Sequence, residues 1–156
     1  MKNGGKVEER RICSPFFPLS SFIPPLFFPI ICMSTRELGN LGERIAEAYL
    51  ARKGYLILAR QWKSPLGEID LVAEKDQQIV IIEVKTRWSD AFGHPEEAVN
   101  ADKRKRLARL SELYLRSAGF IDRPCRIDVL GIRMDDVKRI ARVRHYQDIL
   151  ANQPFS

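Results

Sequence analysis

Apolar and polar residues recur along this chain with two periods, and the switches between them mark its elements. Over residues 35–53, Leu38, Leu41, Ile45, Ala48 and Tyr49 recur at helical spacing, and Gly54 ends the run. This predicts a helix with one broad apolar face. Strand patterns follow over 55–62, 68–74 and 79–86, separated by turns at Pro65-Leu66-Gly67 and at Lys75-Asp76-Gln77-Gln78. The unbroken run Ile79-Val80-Ile81-Ile82 predicts burial on both faces and hence a central position in the sheet. After a loop broken by Gly93 and Pro95, residues 96–118 predict a second helix, ended by Gly119. Two more strands are predicted over 125–133 and 139–146, about a turn at 134–138. The expected fold is α/β, in the order helix, three strands, helix, two strands. No internal repeat or low-complexity tract appears after residue 33.

Residues 12–32 are a different kind of sequence. They carry no charge and are long enough to suggest a membrane span, yet they contain Pro15, Pro18, Pro24, Pro25 and Pro29. Proline removes a helical hydrogen bond and clashes with the preceding turn, so the run is a poor helix. Lys2, Lys6, Arg10 and Arg11 before it resemble the basic start of a signal peptide, but Glu8-Glu9 and the missing small-residue cleavage site argue against one. The favoured reading takes Met33 as the natural start. Residues 1–32 then lie outside the domain and 33–156 form it. The alternative is a genuine targeting or membrane-contacting segment.

Composition narrows the picture further. The 156 residues suit one domain with an ordinary core. The formal charge is +6, and residues 33–156 keep 22 basic against 18 acidic side chains, a balance compatible with a polyanionic partner. Cys13, Cys32 and Cys125 show no paired metal-ligand spacing, and His94 and His145 lie far apart, so a disulfide scaffold and a Cys/His zinc site are not expected. His94, in a Gly-His-Pro loop, reads as a loop residue, and Cys125 as a buried strand residue.

Candidate chemistry lies in the central hairpin. Asp70 interrupts one apolar strand and Glu83 the next, so the two carboxylates can meet across adjacent strands. A carboxylate is costly to bury without a partner, and two close together repel unless a cation sits between them. Mg²⁺ takes oxygen ligands and is often held by one or two carboxylates plus a substrate phosphate. Lys85, two residues beyond Glu83, shares its strand face and can face the same phosphate. Glu43 on the first helix lies away from the Leu38/Leu41/Ile45 stripe, beside Ala46 and Leu50. By geometry alone it reads as an ordinary surface glutamate, and Glu47 one turn on as a solvated neighbour.

Cations cluster beside this hairpin. In Lys103-Arg104-Lys105-Arg106, helical phase puts Lys103 and Arg106 on the side of Val99 and Leu110, toward the acidic site or a bound phosphate. Arg104 and Lys105 point elsewhere, toward a larger partner. Arg87 and Trp88 add a cation and an aromatic ring next to the hairpin. Arg126 and Asp128 share a strand face. They read either as a simple pair or as a support behind the site.

These pieces together resemble the PD-(D/E)xK, or restriction-endonuclease-like, nuclease superfamily, and more closely its bacterial YraN-like family. The carrying segments are GNLGERIAEAYLARKGY (39–55), GEIDLVA (67–73), IIEVKTR (81–87) and RIDVLGI (126–132), in that order, and the resemblance spans residues 34–150. It implies a core built on a mixed central sheet flanked by helices. It implies Asp70 and Glu83 as ligands of Mg²⁺ or Mn²⁺ and Lys85 as the catalytic lysine. The arrangement is also similar to archaeal Holliday junction resolvases, which implies Glu43 as a further active-site residue. The superfamily's proline is replaced by Ile69 before Asp70. The function so implied is metal-dependent endonucleolytic cleavage of DNA, of branched or flapped structures, in the cytoplasm and without a membrane unless residues 12–32 are genuine, with a homodimer allowed. The alternative is a non-catalytic nucleic-acid-binding protein of nuclease ancestry.

Overall fold

The first helix, α1 (Thr35–Arg52), starts where a capping box satisfies its free amides. The Ser34 hydroxyl accepts from the Glu37 N–H at 3.3 Å, and the Glu37 carboxylate accepts from the Ser34 N–H at 2.8 Å. Such a cap is worth about 1 kcal/mol. The chain leaves the helix at Gly54, whose φ of 79° is left-handed. The computed structural model describes residues 7–13, 34–88, 101–135 and 140–151.

Five further strands and one helix complete the described elements with β1 (Val7–Cys13): β2 (Leu56–Ser64), β3 (Gly67–Lys75), β4 (Gln78–Arg87), α2 (Ala101–Ser117), β5 (Cys125–Asp135) and β6 (Ile140–Tyr146). They form a six-stranded mixed sheet in the order β1-β6-β5-β4-β3-β2. β4 and β5 run parallel and every other neighbouring pair antiparallel. A parallel pair needs a long crossover, and α2 supplies it. β4 is central, as its unbroken apolar run predicts, with Ile79, Val80, Ile81 and Ile82 all fully buried.

Each face of the sheet has its own core. On the α1 face, Val80, Ile82 and Val84 pack with Ala46, Tyr49 and Leu50; on the α2 face, Ile79 and Ile81 pack with Leu107, Leu110 and Tyr114. Leu71 and Ala73 belong to the α1 side, but Ile69 belongs to the α2 side together with Val72. Strict alternation therefore breaks near Asp70.

Two findings differ from the sequence reading. β1 pairs along its whole length with β6, from Val7 opposite Tyr146 to Cys13 opposite Ile140. Thus seven residues of the segment placed outside the domain form an edge strand, and the element order begins with it. The apolar stripe of α1 is also rotated. Leu38, Gly42, Ala46, Tyr49 and Leu50 are its buried residues, whereas Ala48 is exposed and Leu41 and Ile45 are half-buried. The cause is a close approach to β4: a methyl group at Gly42 would stand 1.7 Å from the Thr86 hydroxyl oxygen. Small residues, not large ones, make that contact. The described part of the second predicted helix is α2 from Ala101; residues 96–100 and His94 lie outside the described residues.

Candidate active site

The register of β3 and β4 leads directly to the site. The last paired residues are Leu71 and Ile82, so the next step would oppose Asp70 and Glu83. There the backbone ladder stops, and the Asp70 carboxylate takes its place, accepting from the Val84 N–H at 2.6 Å. The strands diverge around the two acids and leave a cleft of about 310 Å³. Glu43 comes to it from α1, Glu68 and Asp70 from β3, Glu83 and Lys85 from β4, and Lys103 and Arg106 from α2. The four residues predicted as catalytic, Glu43, Asp70, Glu83 and Lys85, are thus gathered on one cavity.

Glu83 is 5% exposed and sits between two ammonium groups. Lys85 Nζ lies 2.6 Å from Glu83 Oε1, and Lys103 donates to the same oxygen. Burial pushes the Glu83 carboxyl up, but the hydrogen bonds from Lys103 and Lys85 outweigh it and hold the group below its ordinary value. Burial also depresses the Lys103 ammonium, and the neighbouring Lys85 charge adds to that; Glu83 offsets only part. Burial pulls the Lys85 ammonium down, but its contact with Glu83 and the Asp70 charge outweigh burial and hold it above its usual range.

Asp70 is the contrasting acid. Burial raises its carboxyl to about 6, with repulsion from Glu83 and then Glu43 adding to the effect; the Val84 N–H and Lys85 only partly offset them. The site is short of positive charge at that point. An oxygen-only donor set with such a deficit suits a hard divalent cation, and Asp70 and Glu83 are the residues that could hold it. Among the described residues no three His, Cys, Asp or Glu side chains converge closely enough to form a complete cage. A cation here would rely on water and substrate oxygens for its remaining ligands.

Glu43 is held from an unexpected side. Gln61 of β2 donates its amide to Glu43 Oε2 at 3.0 Å. Gln61 has a φ of 44°, a left-handed backbone rare outside glycine, and lies between the pairs Arg60–Leu71 and Trp62–Ile69, opposite Asp70. Strain of this kind costs about 1–3 kcal/mol and clusters at functional sites. Nothing in the local sequence marks it, since glutamine carries no turn signal.

The remaining predicted residues divide. Lys103 and Arg106 reach the cleft as helical phase requires. Lys105 is exposed, but Arg104 is half-buried and its Nε has neither solvent nor a hydrogen-bond partner, so it does not project freely outward. Arg87 is half-buried at the end of β4. Glu47 is not a solvated neighbour: Arg60 donates to it through Nε at 3.0 Å and through a second nitrogen.

Arg126 and Asp128 do not support the cleft. They share the sheet face of Leu130 and Ile132, on the α1 side, whereas Glu83 continues the face of Ile79 and Ile81. Asp128 is fully buried and accepts from Arg126 Nε at 3.1 Å, from the Asp148 N–H at 2.9 Å and from His145 Nε2 at 2.8 Å. Arg126 also donates to the Tyr55 hydroxyl at 2.7 Å. This is a closed network, and the simple pairing is the reading that stands. Cys125 is half-buried, and burial raises its thiol to about 11, far from a reactive thiolate. No helix among the described residues is long and apolar enough to cross a membrane.

Comparison with known proteins agrees with the segments that build the cleft. Residues 42–132 match the model of the uncharacterised protein family UPF0102, a span containing Glu43, Asp70, Glu83, Lys85 and Lys103. A UPF0102 protein of Moorella thermoacetica is 49% identical over 111 residues, covering 71% of this chain and 92% of that protein. One from Syntrophomonas wolfei is 46% identical over 110 residues, covering 70% and 94%, and one from Alkaliphilus metalliredigens is 42% identical over 106 residues, covering 68% and 93%. With most of the cleft inside the matched span and nearly the whole length of each relative covered, the chain belongs to the UPF0102 family.

Proposed function

We propose that this protein is a metal-dependent endonuclease with a restriction-endonuclease-like core, hydrolysing phosphodiester bonds in branched or flapped DNA. One observation carries the reading: Asp70 and Glu83 meet at the mouth of the sheet, short of compensating charge on Asp70, with Lys85 2.6 Å from Glu83. A divalent cation bound by the two carboxylates would lower the pKa of a bound water and withdraw charge from the phosphate. The chain's own residues do the rest. Lys85 faces the negative charge that grows on the phosphate as water attacks. Lys103 and Arg106 face its non-bridging oxygens, and Glu43, fixed by Gln61, borders the same space and orients water. The Asp70 carboxylate is anchored by the Val84 N–H, so one of its oxygens remains for the site.

A second reading, a nucleic-acid-binding protein without hydrolytic activity, has one observation in its favour. Both lysines already pair with Glu83, so the carboxylate is partly neutralised without any cation.

Single-turnover cleavage of linear, flapped and four-way DNA with Mn²⁺, alongside binding of the same DNA in Ca²⁺, separates the two. Lys85→Ala should cut about a hundredfold more slowly, on the order of 3 kcal/mol of transition-state stabilisation, with binding little changed. If Lys85→Ala cuts as fast as the unaltered protein, the nuclease reading is wrong. If the unaltered protein cuts none of the substrates but binds them, the binding reading replaces it.

A further inference from the structure

A second cavity opens beside the cleft. It is a groove of about 830 Å³ between α1 and β2 that shares Gly39, Glu43 and Glu68 with the cleft, so the two are continuous. Its charges are equal in number but not evenly placed. Among its acids, Glu37 is engaged by the Ser34 N–H and hydroxyl, Glu47 by Arg60 and Glu43 by Gln61. Its cations Arg36, Arg44 and Lys63 are exposed and make no ion pair or side-chain hydrogen bond among the described residues. Three unpaired cations therefore face the groove, against three carboxylates that keep their charge: Glu37, folded back on the start of α1, and Glu43 and Glu68, both at the border with the cleft.

We propose that this groove seats the phosphate backbone of a nucleic-acid duplex, continuing the strand whose phosphate lies in the cleft. The inference rests on the nuclease reading and names the path its substrate takes. Arg36 and Arg44 stand eight residues apart on α1, about 12 Å along the helix axis. One strand of a duplex carries a phosphate about every 3.4 Å of its axis, so this ridge spans three to four phosphates. Lys63 approaches from β2. The Arg106 guanidinium, which lines the cleft, lies over the β2–β3 turn, 3.8 Å from where a methyl group on Gly67 would stand. Cations thus line both the groove and the cleft it joins. Among the described residues lining the groove there is no aromatic ring. Single strands are commonly held by stacking bases on aromatic side chains, so this groove reads backbone and not bases.

The test is fluorescence anisotropy with the full chain, a 20-base-pair duplex and Ca²⁺, across a salt series. The groove variant Arg36→Ala/Arg44→Ala/Lys63→Ala is compared with Arg52→Ala/Arg109→Ala/Arg116→Ala, exposed cations outside both cavities. The groove variant should lose about two to three units of salt slope and at least about tenfold in affinity near 150 mM salt. The remote variant should keep the slope of the unaltered protein. The duplex should bind at least as tightly as a single strand of the same length. If the triple variant melts, Arg36→Gln/Arg44→Gln should show about two thirds of the slope change. Equal slopes in the groove variant and the unaltered protein overturn the groove while leaving the Lys85 cleavage result standing. Equal losses in both triple variants overturn it too, as does a single strand bound tenfold more tightly. Absence of DNA binding by the unaltered protein overturns both the groove and the nuclease reading.

Discussion

Two buried carboxylates of this protein meet opposite fates. Asp128, deep on the α1 face of β5, is wholly excluded from solvent and surrounded by donors at fixed positions: Arg126, His145 and the Asp148 N–H. An ionised carboxylate only accepts, so His145 Nε2 must carry the proton it shares with Asp128. Asp70, at the point where β3 and β4 part, has one backbone donor and two like-charged neighbours, Glu83 and Glu43. Evolved interiors satisfy buried charge unless something else is meant to arrive. The first carboxylate is finished by the fold. The second is not, and on that difference, more than on burial, the proposed cation site rests.

The same substitution at the two sites should therefore have opposite signs, and the largest effect belongs to Asp128. Asp128→Asn leaves the Arg126 guanidinium without its counter-charge inside the protein. It should cost about 3–5 kcal/mol of stability, measured by denaturant unfolding. A loss under about 1 kcal/mol would mean the network is not closed, and the contrast with Asp70 would collapse.

A smaller effect is expected where α1 meets β4. Gly42→Ala puts a methyl group within 1.7 Å of the Thr86 oxygen and 2.8 Å of its Cβ, so the helix must move. Overpacking of this kind costs about 1–3 kcal/mol. Because Glu43 is the next residue, cleavage should fall with stability, and Thr86→Ala in the same chain should recover part of both. Full activity in Gly42→Ala would show that the helix position does not set Glu43.

Much of this was legible in the sequence where local pattern decides. The face shared by Glu83 and Lys85 follows from the two-residue period of a strand, and the central place of β4 from its unbroken apolar run. What was hidden depends on partners distant in the chain. The side of the sheet that Asp128 occupies follows from the parallel register placing it beside Ile82, which no local pattern encodes. The buried stripe of α1 passes through Gly42 and Ala46, small residues that hydrophobicity undervalues when a helix lies close to a sheet. β1, VEERRIC, is a charged strand at the sheet edge, where charge is a common device against unwanted pairing, and so nothing in its pattern places it within the domain. Arg36, Asn40 and Arg44 did carry a signal, since residues four apart share one helix ridge, but only β2 turns that ridge into the wall of a groove.

Thermal stability across pH, with and without Mn²⁺, tests most directly the claim that Asp70 waits for a cation. The Asp70 carboxyl is raised in the folded protein from 3.8 to about 6, so the folded state binds more protons than the unfolded one between those values. Its contribution to stability is full below about pH 4 and lost as the pH rises through about 6. Without metal, Asp70→Asn should melt higher than the unaltered protein at pH 7, by about 1–3 kcal/mol, and the advantage should vanish near pH 4. With Mn²⁺ at a hundred times its dissociation constant, the unaltered protein should gain about 2.7 kcal/mol at pH 7, and Asp70→Asn and Glu83→Gln almost nothing. Equal gains in all three proteins, or a metal-free Asp70→Asn less stable than the unaltered protein at pH 7, would contradict the account.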